Sequence, residues 1–219
     1  MVVQTWDGAV WRATLSGWAG KARDDLALAA SRYDWLTVFD VVRQHPHFVN
    51  SSRPDGTSWF APLHQAAYGG ASTEIANRLV AAGAWRGLRT SAGERPVDVA
   101  REHGHDHLLA ILEPPRRTTI APDLLDAVQR GFHELIGERM REFGVTHELR
   151  LPELEVMLEM PRPELWFPVP GMYGGFHCRL EPHDSGPRLI TDSWCRVVGG
   201  SEEHHEITER GIRSVASRG

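Results

Sequence analysis

The chain has 219 residues, enough for one large domain or two small ones, and its 41% hydrophobic and 24% charged residues exclude wholesale disorder. A net charge of −5 argues against the cationic surface that a phosphate backbone demands, so no nucleic-acid partner is expected. The first ten residues lack a basic stretch leading into an apolar one, and no run approaches the ~18 apolar residues of a membrane span. The reading is a cytoplasmic protein with no membrane partner. Lys21 is the only lysine among 24 basic residues, a bias that suggests a GC-rich, bacterial coding sequence.

Residues 1–23 read as an N-terminal extension. From Leu26, Leu28, Ala29 and Ala30 the chain passes through Tyr33-Asp34-Trp35 to Val38, Val41 and Val42, then to Pro46 and Val49-Asn50. Apolar residues at 35, 38, 39, 41 and 42 suit one helix face. Two better-formed stretches follow. Pro62-Leu63-His64-Gln65-Ala66-Ala67-Tyr68-Gly69-Gly70 is matched at an offset of 34 residues by Pro96-Val97-Asp98-Val99-Ala100-Arg101-Glu102-His103-Gly104. Pro62 and Pro96 suit a first helical position, where the missing amide costs nothing. Gly70 and Gly104 fall where a helix stops in a left-handed residue. A period of this size signals stacked units, each too thin to bury its own apolar face.

The wording of residues 55–113 resembles the ankyrin repeat, with residues 24–50 a degenerate further copy. The resemblance implies a helical solenoid of about three repeats over 24–115 that binds another macromolecule. It also implies that His64, in the Pro-Leu-His triplet, hydrogen-bonds backbone. The first inter-repeat turn is lengthened by Thr57-Ser58-Trp59-Phe60-Ala61, and the next carries Trp85-Arg86-Gly87-Leu88-Arg89. Trp, Tyr and Arg dominate interface energetics. Trp59, Phe60, Tyr68, Trp85, Arg86 and Arg89 are therefore candidate partner contacts, with Tyr173 further along; the opposing reading folds Trp59 and Phe60 back as cover.

Pro114-Pro115 breaks the helical pattern, and 116–122 reads as a linker. Residues 123–219 read as a small α+β domain. Asp123 to Phe143 is a helix, with apolar residues at 124, 125, 128, 132, 135 and 136, and Gly144 ends it. Leu154 to Met160 alternates as a strand, although its composition also suits a short helix. Phe176, Cys178 and Leu180 alternate with polar residues, a turn spans Pro182 to Pro187, and Leu189 to Val198 gives a second strand. Gly199-Gly200 turns the chain before His205 to Thr208, completing an antiparallel β-meander that a helix can cover. The fold class is thus mixed α and β: a helical solenoid, then an α+β domain.

Little in the sequence argues for chemistry. Gly171-Met172-Tyr173-Gly174-Gly175 lacks a following Gly-Lys-Ser/Thr, and His133-Glu134 lacks the second histidine of a zinc-protease helix. The His103–His107 cluster has no cysteine or paired carboxylate to complete a metal set. Cys178 and Cys195 read as buried free thiols. The remaining enzyme candidate is Glu202-Glu203-His204-His205-Glu206 with Asp192 and Cys195 nearby, where histidine beside carboxylate suits a general base. The expectation is a non-catalytic module without metal or cofactor. The ankyrin resemblance further implies that it binds and inhibits a protein partner, a toxin or enzyme, as an immunity protein does. An enzyme sited in the C-terminal half is the alternative.

Overall fold

A computed structural model describes residues 3–115, 117, 119–170, 172–183, 186–196 and 201–215. The Gly199-Gly200 turn, Val197-Val198, Gly171 and the middle of the Pro182–Pro187 turn lie outside the described residues. The protein is mixed α and β and divides into two compact units, Ala9–Pro115 and Met1–Gly8 with Arg116–Gly219.

The first unit is built from helix pairs. Helices α1 (Gly17–Ser31) and α2 (Trp35–Gln44) form the first pair, α3 (Pro62–Tyr68) and α4 (Thr73–Ala81) the second, and α5 (Pro96–Glu102) and α6 (Asp106–Leu112) the third. Helix α1 packs on α3 and α3 on α5, while α4 packs on α6. Helix α1 begins inside the stretch read as an extension, because Ala19, Leu26, Ala29 and Ala30 already belong to the common core.

The three pairs turn in the same way. The amides of Asp34, Ala71 and His105 donate to the carbonyls of Ala29, Ala66 and Ala100, each at 2.9 Å. This is the bond that closes a helix through a left-handed residue. That residue is Gly70 (φ +60°) in the second pair, Gly104 (φ +70°) in the third and Tyr33 (φ +60°) in the first. The starts of the following helices differ. Asp34 accepts from the Thr37 amide and hydroxyl (3.3 and 2.7 Å), which holds its carboxyl below the usual range, and Ser72 accepts from the Ile75 amide.

Buried polar groups fasten one pair to the next. His64 accepts the Ala61 amide with Nδ1 (3.3 Å), which leaves the proton on Nε2 to donate to the Leu88 carbonyl (3.0 Å). Asn50 donates to the Gly83 carbonyl (2.9 Å) and accepts the Trp85 amide (2.8 Å). Leu63, Ala66, Ala76, Leu79, Val97, Ala100 and Leu108 close the core between them.

The second unit carries a mixed six-stranded sheet in the order β1 (Gln4–Thr5), β2 (Glu164–Pro168), β3 (Gly174–Glu181), β4 (Arg188–Cys195), β5 (Ser201–Thr208) and β6 (Gly211–Ser214). β1 runs parallel to β2, and every later neighbour is antiparallel. One face is apolar through Leu165, Phe167, Phe176, Cys178, Leu180, Leu189 and Ile207. Helix α7 (Pro122–Glu142) packs against β4, β5 and β6, burying Leu125, Val128, Phe132, Leu135 and Ile136. Gly131 lets Ile207 approach it, since a Cβ there would sit 2.8 Å from the Ile207 methyl. Residues Leu154–Glu159 form a 3-10 turn in place of the expected strand. Leu154, Val156, Met157 and Leu158 are all buried, which an alternating strand pattern does not provide.

Gly175 is fixed by packing. A Cβ there would overlap the Phe167 carbonyl oxygen and crowd Pro168 and Trp166. Gly175→Ala is expected to destabilise the protein by about 1–3 kcal/mol, seen as a lower urea midpoint. An unchanged midpoint would show that β2 and β3 lie farther apart.

Candidate functional site

The first unit displays aromatic rings along the turns that close its inner helices. Tyr33 is 44% exposed and Tyr68 46%, high values for rings held on several sides. Tyr33 lies over Gly69, where any Cβ would overlap its ring, and faces Trp35 at 6.2 Å. Tyr68 stands between Phe60 (6.2 Å, edge-on) and His103 (4.4 Å). Phe60 in turn packs on His64 at 5.5 Å.

The histidines after Tyr68 act as fasteners. His103 Nδ1 donates to the Val99 carbonyl (3.0 Å), His105 Nε2 to the Tyr68 carbonyl (3.1 Å) and His107 Nε2 to the Ala71 carbonyl (3.0 Å). Each ring is thereby committed to backbone, and two of the three bonds join the third helix pair to the second. Tyr68 is anchored through its own carbonyl in this way.

The seven residues singled out in the sequence fall in different places. Phe60 and Tyr68 meet. Trp59 is half-buried with φ +56°, a left-handed conformation uncommon for a bulky side chain. Trp85 departs from the expectation of a surface contact: it is 5% exposed, and its amide is tied to buried Asn50. Arg86 donates to the Glu113 carbonyl (3.3 Å) and Arg89 to the Gly93 carbonyl (2.7 Å), so both guanidinia brace their own unit. Tyr173 is 81% exposed but belongs to the other unit. Tyr33 and His103 were not among the candidates. The signal for Tyr33 was available: aligned on its turn, it stands where the other pairs carry Gly70 and Gly104.

In the second unit the strand alternation divides the histidine–carboxylate run. Glu202, His204 and Glu206 point to the face away from α7, and Glu203 and His205 to the face toward it, because neighbours on a strand face opposite ways. Cys195 is buried on the α7 side while Asp192 is on the other, so these residues make no single site. On the outer face, register places Trp166, His177, Asp192 and His204 directly opposite one another across four strands. Asp192 Oδ1 lies 2.7 Å from His204 Nδ1, and Oδ2 lies 3.7 Å from His177 Nδ1. Trp166 and Trp194 stack at 5.5 Å over Gly175. Both cysteines are free and buried; desolvation pushes the Cys178 thiol up to about 12, which removes it as a nucleophile.

Two measurements probe this geometry. The hydrogen bond to Asp192 raises the pKa of His204, so the pair's stabilisation is complete below the unfolded value of about 6.5 and fades as pH rises through the higher folded value. In Asp192→Asn the imidazole NMR midpoint should drop toward that value; no movement would show that the contact is absent in solution. At Tyr33, Gly should be more stable than Ala by about 1 kcal/mol in denaturant unfolding, since only Gly accepts φ +60° without strain. Equal stabilities would contradict the left-handed turn.

No known protein family matches the chain, and no curated protein does. Among solved structures, the chain is similar at a TM-score of 0.36 and 19% identity to a chain in the complex of the Bd0816 predatory endopeptidase from Bdellovibrio bacteriovorus with immunity protein Bd3460. The match covers 59% of this chain and 69% of that one. A likeness of this degree establishes neither a common fold nor a common role. Among the described residues, no helix is long and apolar enough to cross a membrane.

Proposed function

We propose that the Ala9–Pro115 unit is an ankyrin-type solenoid and that the protein is a non-catalytic module that binds a protein partner through the Tyr33–Tyr68 strip. The observation that carries this reading is the pair of large rings, each half exposed, held in fixed orientations on successive turns. Rigid, amphipathic aromatics give contact area at little entropic cost, which suits them to anchor an interface. Phe60 and His103 complete the strip, and the partner contacts suggested for Trp85, Arg86 and Arg89 give way to bracing roles. The repeated turn bond at Ala29, Ala66 and Ala100 supports the solenoid. Sheet and helix α7 form an α+β appendage whose strands β2 to β6 follow one another as a meander.

Within this reading the partner is a toxin or enzyme that the module occludes, the inhibitor or immunity role implied by the ankyrin resemblance. The net charge of −5 favours fast encounter with a basic partner. Catalysis in the sheet unit is the second reading, favoured by the Asp192–His204 contact at 2.7 Å. It requires a turnover that His204→Ala abolishes.

The test uses the full chain as bait in lysate of its source organism, beside a Tyr33→Gly/Tyr68→Ala variant. One stoichiometric protein should be retained. Its affinity for the variant should fall by about 2–3 kcal/mol, or roughly 30- to 150-fold in Kd. The captured protein should lose activity when the wild-type chain is added. A variant that unfolds normally and binds equally well would overturn the assignment of the strip.

A further inference from the structure

We infer that the interior of the sheet unit, between the C-terminal half of α7 and strands β4 and β5, is a binding site for a small, neutral, hydrogen-bonding molecule. The register of β4 and β5 sets Thr191 opposite His205 and Ser193 opposite Glu203, all on the face toward α7. The rest of that face is apolar, with Phe176, Leu180, Leu189 and Ile207 fully or almost fully buried. Thr191 and Ser193 are 0% exposed, and His205 keeps 11% of its side chain accessible. Thr191 Oγ1, Ser193 Oγ and His205 Nδ1 are buried, and none has a hydrogen-bond partner among the described residues.

Three such atoms at adjacent positions are hard to explain as packing. A buried polar atom that loses water and gains no partner bears its full desolvation cost, and native interiors hold few of them. Valine at 191 and alanine at 193 would occupy similar space without that cost. Two hydroxyls and an imidazole nitrogen at adjoining register positions on one face are instead what a polar site needs: a few polar groups set in an apolar wall.

The surrounding charges define what the site accepts. Arg139 borders it, but its Nη1 already holds Glu142 at 2.6 Å and Glu203 at 2.9 Å. His205 faces Glu203, Glu138, Arg139 and His204, and burial, the largest influence, pushes its pKa down, so its ring is neutral near pH 7. The carboxylates of Glu142, Glu203 and Glu138 outnumber the Arg139 guanidinium, so an anionic ligand would enter uncompensated. Hydroxyls that both donate and accept, with one imidazole nitrogen, suit a molecule that does the same. Ordered water and a small amide or alcohol share that chemistry. Glu203 and His205 keep the solvent-accessible side chains here, and Thr191 and Ser193 are fully buried.

The test pairs two substitutions in the full chain with direct observation of the site. If a bound molecule satisfies the hydroxyls, Thr191→Val and Ser193→Ala each lower Tm by several degrees, since the bonds are lost and the molecule is displaced. A rise in Tm for both would mean that the atoms are dry and unsatisfied, and would overturn the site. Should either variant fail to fold, a high-resolution crystal structure of the wild-type protein decides. Density within hydrogen-bond distance of at least two of the three atoms supports the site, and its absence refutes it. Native mass spectrometry then separates the sources: an excess mass identifies a retained organic molecule, and a bare chain with single-atom density identifies water.

Discussion

A pair of helices as short as α3 and α4 cannot bury its own apolar side, and the first unit follows from that constraint. Leu63, Ala66 and Leu79 have no interior until a second pair closes over them, so each first helix packs on the next, α1 on α3 and α3 on α5. The means is a repeated turn. Ala29, Ala66 and Ala100 each accept the same bond at 2.9 Å, and the left-handed residue that follows sets the second helix back against the first. Small residues at these acceptors let the helices approach closely. His64 and Asn50 satisfy the backbone that the connecting loops would otherwise bury without partners.

Tyr33 sets local preference against this global demand. The turn requires a left-handed residue, and tyrosine resists that conformation where Gly70 and Gly104 adopt it freely. The ring gains contact over Gly69, yet it remains nearly half exposed, so burial recovers only part of the cost. A strained aromatic on the surface is the kind of conflict that accompanies function. The proposed partner strip rests on the same ring. In the sheet unit, polar Thr191, Ser193, Glu203 and His205 interrupt a face otherwise built from apolar side chains, a second departure from what stability alone selects.

The elements with strong periodicity were legible in the sequence. Pro62 and Pro96 mark helix starts, residues 123–143 read as the helix observed at Pro122–Glu142, and the alternation at Phe176, Cys178 and Leu180 names the buried face of β3. What the sequence hid depended on contacts distant in the chain. Gln4–Thr5 becomes a strand only because β2 is there to pair with it, and the Leu154–Glu159 segment buries Leu154, Val156, Met157 and Leu158 alike, so its alternation carried no information. Trp85 looked like a surface anchor because nothing local reveals the hold of Asn50, 35 residues earlier. The run from Glu202 to Glu206 looked like one cluster, and the two-residue period of a strand divides it between two faces. Tyr33 was visible only after alignment on the turn itself.

In the proposed function a protein partner seats on the Tyr33–Tyr68 strip. Amide hydrogen exchange of the chain, free and bound to its captured partner, tests this most directly. Exchange should slow in the turns around Tyr33, Tyr68 and His103, with the amides of β2 to β5 unchanged. Protection confined to the sheet, with the three turns exchanging as in the free protein, would contradict it.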